Sequence, residues 1–96
     1  MPQNTTRLIP KWVWTQLTDV DVTAITFINA GGTTMMVKAT VGATAPTDLL
    51  GAIPYGPGQG ETSAVTLAQL FPGVTGANRL WAWGRDDATS CAVSNA

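Results

Sequence analysis

The chain has 96 residues, with five Lys or Arg against six Asp or Glu, one cysteine and no histidine. That length holds a single core, and the cysteine and histidine counts exclude an intrachain disulfide framework and a Cys/His zinc site. A net charge of −1 gives no basic footprint for nucleic acid, and no apolar run nears the roughly 18 residues of a membrane span.

Residues 1–10, MPQNTTRLIP, show no periodicity and are bracketed by prolines. They read as an extended N-terminal arm, free or ordered only against a neighbour, ahead of a single β-domain over 11–96. No continuous apolar h-region marks them as a signal peptide, so synthesis in the cytoplasm is expected. From residue 11 onward, short runs of β-formers alternate with Gly and Pro breakers, which predicts an all-β, small antiparallel β-sandwich or barrel. KWVWTQL, 11–17, is the first predicted strand, with Trp12 and Trp14 on one face. VTAITFINA, 22–30, is the second, with Ile25 and Phe27 together. TTMMVKATV, 33–41, is the third and sends Met35, Val37, Ala39 and Val41 one way. With NAGG as a tight-turn signal between them, 22–41 is predicted to be a hairpin.

A stretch of twenty residues, GATAPTDLLGAIPYGPGQGE, follows with five glycines and three prolines. A long Gly/Pro loop of this kind is uncommon unless it is functional or carries a short strand, here placed at GAIPY. TSAVTL, 62–67, is a strand, and AQLFPG, 68–73, is a single helical turn stopped by Pro72-Gly73. RLWAWGR, 79–85, and TSCAVSN, 89–95, are predicted to form a second hairpin across RDDA.

The GPGQG loop is the natural candidate for a phosphate cradle, and it fails the test. A P-loop with its second glycine at Gly60 would need Gly and Lys where Tyr55 and Glu61 stand. The dinucleotide pattern fails too, ending on Glu61 or Ser63 instead of glycine. Without histidine there is no Ser-His or Cys-His pair, and Cys91 in an apolar strand reads as a small buried hydrophobe. The acids Asp19, Asp21, Asp48, Glu61, Asp86 and Asp87 fall largely where turn chemistry puts carboxylates. The chain is therefore read as a non-enzyme without cofactor or metal. Trp12/Trp14 and Trp81/Trp83 are two i,i+2 pairs, each sharing a strand face. One pair is expected in the core and the other at a subunit contact.

V-x-x-I-T-F-x-N, V-K-x-T-x-G-A-T-A-P-T, G-A-I-x-Y-x-P-G-Q-G-E, L-F-P-G and R-L-W-A run in that order through residues 22–84. This series resembles small β-rich auxiliary virion proteins of tailed bacteriophages, of which capsid decoration (cement) proteins are one class. The resemblance implies a structural protein on the capsid surface of the virion, partnered by the major capsid protein. It also implies a homo-oligomer, by analogy a trimer at capsid three-fold positions, that touches neither nucleic acid nor membrane. The contact residues expected are Leu8, Ile9, Trp12 and Trp14 near the N-terminus and Tyr55, Pro57, Gln59 and Glu61 in the loop. The alternative is a receptor- or carbohydrate-binding module of a phage tail or fibre, stacking sugars on Trp81, Trp83 or Tyr55.

Overall fold

The structure, a computed structural model, describes residues 3–18 and 20–95; Met1, Pro2, Asp19 and Ala96 lie outside the described residues. The chain folds as a β-sandwich of two four-stranded antiparallel sheets that do not close into a barrel. The elements in order are β1 (Gln3–Ile9), β2 (Trp14–Gln16), β3 (Ala24–Asn29), β4 (Met35–Thr40), β5 (Ile53–Tyr55), β6 (Gly60–Thr66), α1 (Leu67–Leu70), β7 (Arg79–Gly84) and β8 (Thr89–Asn95). One sheet runs β1-β8-β3-β6 and the other β2-β7-β4-β5.

Every connection between successive strands, except that from β4 to β5, changes sheet. Both predicted hairpins are corrected by this. Their strands form close to the expected residues, but β3 and β4 lie in different sheets, and so do β7 and β8. NAGG is a corner between the sheets. The reason is Asn29, fully buried at the end of β3. Its amide donates to the carbonyls of Thr33 (2.7 Å) and Tyr55 (2.9 Å). Its side-chain oxygen accepts from the Gly31 N–H at 3.1 Å and the Thr89 hydroxyl at 2.7 Å. The bonds to Thr33 and Gly31 hold backbone groups of the turn itself, and those to Tyr55 and Thr89 tie the corner to β5 and to the start of β8.

The expected free arm is also corrected. Residues 3–9 are extended, but they pair in unbroken register with β8, from Gln3 opposite Asn95 to Ile9 opposite Thr89. Ile9 is fully buried in the core, which anchors the strand through apolar burial worth about 1.5–3 kcal/mol. Pro10 follows the last residue of this edge strand and begins the passage to the second sheet.

Inward positions follow the period of two: Ile25, Phe27 and Asn29 on β3, Met35, Val37 and Ala39 on β4, Leu80 and Ala82 on β7, Cys91 and Val93 on β8. Val41, expected to continue the β4 stripe, lies beyond the strand and is exposed. α1 is one turn with a full capping box: Thr66 and Gln69 each bond the other's backbone N–H at 3.1 Å. The 41–52 loop is held back to β4 by Lys38 Nζ on Asp48 Oδ1 at 2.7 Å. That bond, with the Leu50 N–H, holds the Asp48 carboxyl below its ordinary pKa.

Candidate functional site

Two surface regions carry the expected contact residues, and they sit on opposite edges of the sandwich. The first is the turn from β1 to β2. Here the chain crosses between sheets in the four residues 10–13, and Trp12 takes a left-handed conformation, φ 61°, to make the bend. Such a φ costs a bulky side chain of order 1–3 kcal/mol. Two bonds offset it: the Trp12 N–H donates to the Gly84 carbonyl at 2.8 Å and its indole Nε1 to the Arg85 carbonyl at 2.9 Å. Lys11 Nζ lies 4.3 Å from the ring centroid. Trp12 is nevertheless 63% exposed, beside Val13 and near Leu8 in sequence, which is 68% exposed. Trp12 therefore does not share the face of Trp14 as expected, because the bend confines β2 to Trp14–Gln16.

The second region is the GPGQG loop. The Gln59 N–H bonds the Gly56 carbonyl at 3.0 Å around Pro57 and Gly58, with Gly58 at φ 77°. Proline followed by a residue of positive φ is the pattern of a type II turn. The turn is tied to β3 by Gly58 N–H on the Asn29 carbonyl (2.8 Å) and Asn29 N–H on the Gln59 carbonyl (2.9 Å). Asn29 thus joins this loop to the NAGG corner and to Thr89 at the start of β8. Tyr55 packs edge-on against Phe27, ring centroids 5.0 Å apart, and its hydroxyl donates to Glu61 Oε2 at 3.0 Å. A shallow cleft lies here between the edges of β5 and β6, lined by Pro54, Tyr55, Gln59 and Glu61 among others.

The expected contact set divides accordingly. Leu8, Trp12, Pro57 and Gln59 are exposed, and Trp14 and Glu61 are half-buried. Ile9 is withdrawn into the core and Tyr55 nearly so; both point inward on their strands, so neither side chain can reach a partner. The tryptophan pairs are corrected as well. None of the four belongs to the core between the sheets, because Leu80 and Ala82 take the inward positions of β7. Trp83 stands between Trp14 and Met36 in register, with the two indole centroids 6.2 Å apart. Trp81 lies between Gln16 and Lys38, its Nε1 on the Thr40 hydroxyl at 2.8 Å. The outer face of this sheet is an aromatic row shielded by its own neighbours.

Among the described residues no three His, Cys, Asp or Glu side chains gather as a metal-binding group, and no helix is long and apolar enough to cross a membrane. Cys91 is buried and unpaired with another sulfur. Burial pushes its thiol up from 9.0 to about 12. Burial first, and the Glu61 carboxylate second, push the Tyr55 hydroxyl above its ordinary 10.0. Both shifts disfavour the charged form in the folded state. Above pH 9.0 the unfolded chain therefore releases protons that the folded chain retains, and stability falls as pH rises. The melting temperature is expected to drop from about pH 9 upward. Cys91→Ala should remove the start of that decline, measured by thermal melts between pH 7 and pH 11. The native thiol should also stay inert to disulfide reagents at pH 8.

The residues that sequence reasoning missed are Asn29 and Thr89. Their only signal was a polar residue on the apolar side of a period-two stripe: Asn29 after Ile25 and Phe27, Thr89 before Cys91 and Val93. Comparison of the chain with protein families, with curated proteins and with solved structures returns no match.

Proposed function

We propose that this is a structural virion protein that binds and stabilises an assembled bacteriophage capsid, with the major capsid protein as its partner and no catalytic activity. The observation that carries the reading is the β1–β2 turn: Trp12, Val13 and Leu8 stand out from the surface of a chain with few charges. Trp12 is held there by two bonds to the β7–β8 corner, so little side-chain freedom is lost on docking. Exposed, pre-ordered tryptophans are typical anchors of protein interfaces. The resemblance of residues 22–84 to auxiliary virion proteins supplies the kind of partner. Many weak copies over a shell add up, so each contact can be small.

A receptor- or sugar-binding module on Trp81, Trp83 or Tyr55 is less well supported. Sugar stacking needs an open ring face, whereas Trp81 and Tyr55 are 6% and 7% exposed and Trp83 leans on Trp14. The test is co-sedimentation of the protein with undecorated capsids and, separately, with host cells. Capsid binding is expected, and Trp12→Ala should weaken it about tenfold or more. Binding to cells but not to capsids would overturn the proposal.

A further inference from the structure

A long unpaired strand edge is a template for another strand unless something blunts it. Three of the four sheet edges are blunted. β2 and β5 have three residues each, and Pro54 in β5 has no N–H to offer. β6 is irregular: its register against β3 jumps between Ile25–Val65 and Phe27–Glu61, which interrupts a regular ladder. β1 carries none of these devices. It has seven residues and no proline, and it keeps unbroken register with β8 from Gln3 to Ile9. Among the described residues no strand pairs with its other side. Asn4, Thr5, Thr6 and Leu8 are all exposed there.

We propose that β1 pairs with β1 of a second copy about a two-fold axis, joining two four-stranded sheets into one of eight strands. An axis perpendicular to the sheet makes the two strands antiparallel and uses the same edge of both copies, as an isologous contact requires. The faces then fix the register. Ile9 points into the core, and Arg7 and Thr5 lie opposite inward Cys91 and Val93, so Asn4, Thr6 and Leu8 point out. Outward residues must meet outward residues, because a one-residue slip would turn every side chain to the wrong side of the joined sheet. Centring the pair on Thr6 satisfies this and overlaps all seven residues. Thr6 meets Thr6 of the second copy, Asn4 meets Leu8, Thr5 meets Arg7, and Gln3 meets Ile9.

No like charges lie directly opposite in that register. Arg7 keeps the bond it donates to Gln3 at 2.9 Å and faces an uncharged threonine, so the pairing asks nothing of its guanidinium. Every second residue pair exchanges two backbone bonds, which gives about six to eight across the new ladder. The outcome is a dimer, in contrast to the three-fold association that the resemblance to virion proteins implies. It requires nothing of a capsid and stands apart from the capsid reading.

The experiment is sedimentation velocity on the purified full chain and three variants, with circular dichroism on each to confirm folding. Pairing over seven residues makes a small interface. The 10.0 kDa wild type is therefore expected to move from monomer toward dimer as loading rises over ~0.01–1 mM. Thr6→Lys and Thr6→Glu should each weaken association about tenfold or more, because two like charges then meet at the axis. An equimolar mixture of the two should associate again, since lysine then faces glutamate. Thr62→Lys, on the β6 edge, should associate like the wild type. Hydrogen exchange on the wild type gives an arm free of mutation: amides within residues 3–9 should slow as loading rises, and those within 60–66 should not. A wild type that stays monomeric throughout, or exchange in residues 3–9 that ignores loading, would overturn the pairing. So would folded Thr6 variants that associate normally, a mixture of them that stays monomeric, or a folded Thr62→Lys protein that loses association.

Discussion

Asn29→Asp is expected to unfold most of the protein at neutral pH. The substitution keeps the shape of the side chain but removes the amide that donates to the Thr33 and Tyr55 carbonyls. In its place stands an oxygen facing two carbonyl oxygens in a site with no solvent exposure. Two lost donor bonds and an uncompensated buried acceptor cost about 3–5 kcal/mol before any charge is counted. A domain of this size has roughly 5–15 kcal/mol in all. The pH dependence distinguishes this cause from simple damage. Burial and the facing carbonyls raise the folded-state pKa of the new carboxyl above its unfolded value of about 4. A raised folded pKa gives stability that is present below the unfolded value and lost as pH rises. The Asn29→Asp variant should therefore recover toward the wild type in acid, whereas Asn29→Ala should show the same deficit at both pH values. Urea midpoints near pH 3.5 and pH 7 for the three proteins provide the check.

Gly60→Ala is expected to be nearly as severe, by a purely steric route. A Cβ at Gly60 would stand 2.0 Å from the Phe27 carbonyl oxygen and 2.7 Å from the Ile28 Cα. Both are backbone atoms of β3, so relief requires the two strands to part, breaking the pairs on either side of Phe27. The loss should reach about 3 kcal/mol or more. Two other glycines serve as controls. At Gly58 nothing lies within 4 Å, but φ is 77°, so alanine there should cost only about 1 kcal/mol. At Gly32 there is open space and no unusual φ, and alanine should be neutral within about 0.5 kcal/mol. Chemical denaturation of the three variants would order them, and a Gly60→Ala protein as stable as the Gly32→Ala protein would refute the close approach.

Asn29 also marks where sequence reasoning ended. Strands were legible because their inward residues recur at a period of two: Ile25 with Phe27, and Met35 with Val37 and Ala39, are all core. Partners were not legible, because the alternation of β3 and β4 looks the same whether the turn between them stays in one sheet or crosses to the other. What decided it was a buried asparagine whose hydrogen-bond partners lie 26 and 60 residues away. For the candidate site, the prolines around residues 1–10 gave the extent of the N-terminal segment but hid its role, since an edge strand needs only one paired side. Ile9 and Tyr55 are buried although Leu8 and Pro54 beside them are exposed; alternation across a strand sends neighbours to opposite environments. The tryptophan spacing correctly gave a shared face for Trp81 and Trp83, while only the inward positions of Leu80 and Ala82 showed which face it was.

The pairing of β1 with β8 places the first described strand beside the last. The β1 segment leaves the ribosome early but has no place to bind until residues 89–95 have followed it, and β8 must itself settle against β3. Completion of that sheet is thus a closing step, made through contacts of near-maximal sequence separation, which are slow to form. In the interval the seven residues of β1 are an unsatisfied strand able to invade another chain's sheet. The same geometry brings Gln3 opposite Asn95, so the ends can be joined by a short linker and the chain reopened in the 41–52 loop. A permutant built that way would make β1 and β8 a local hairpin, and it should fold faster than the natural order while keeping the same sandwich.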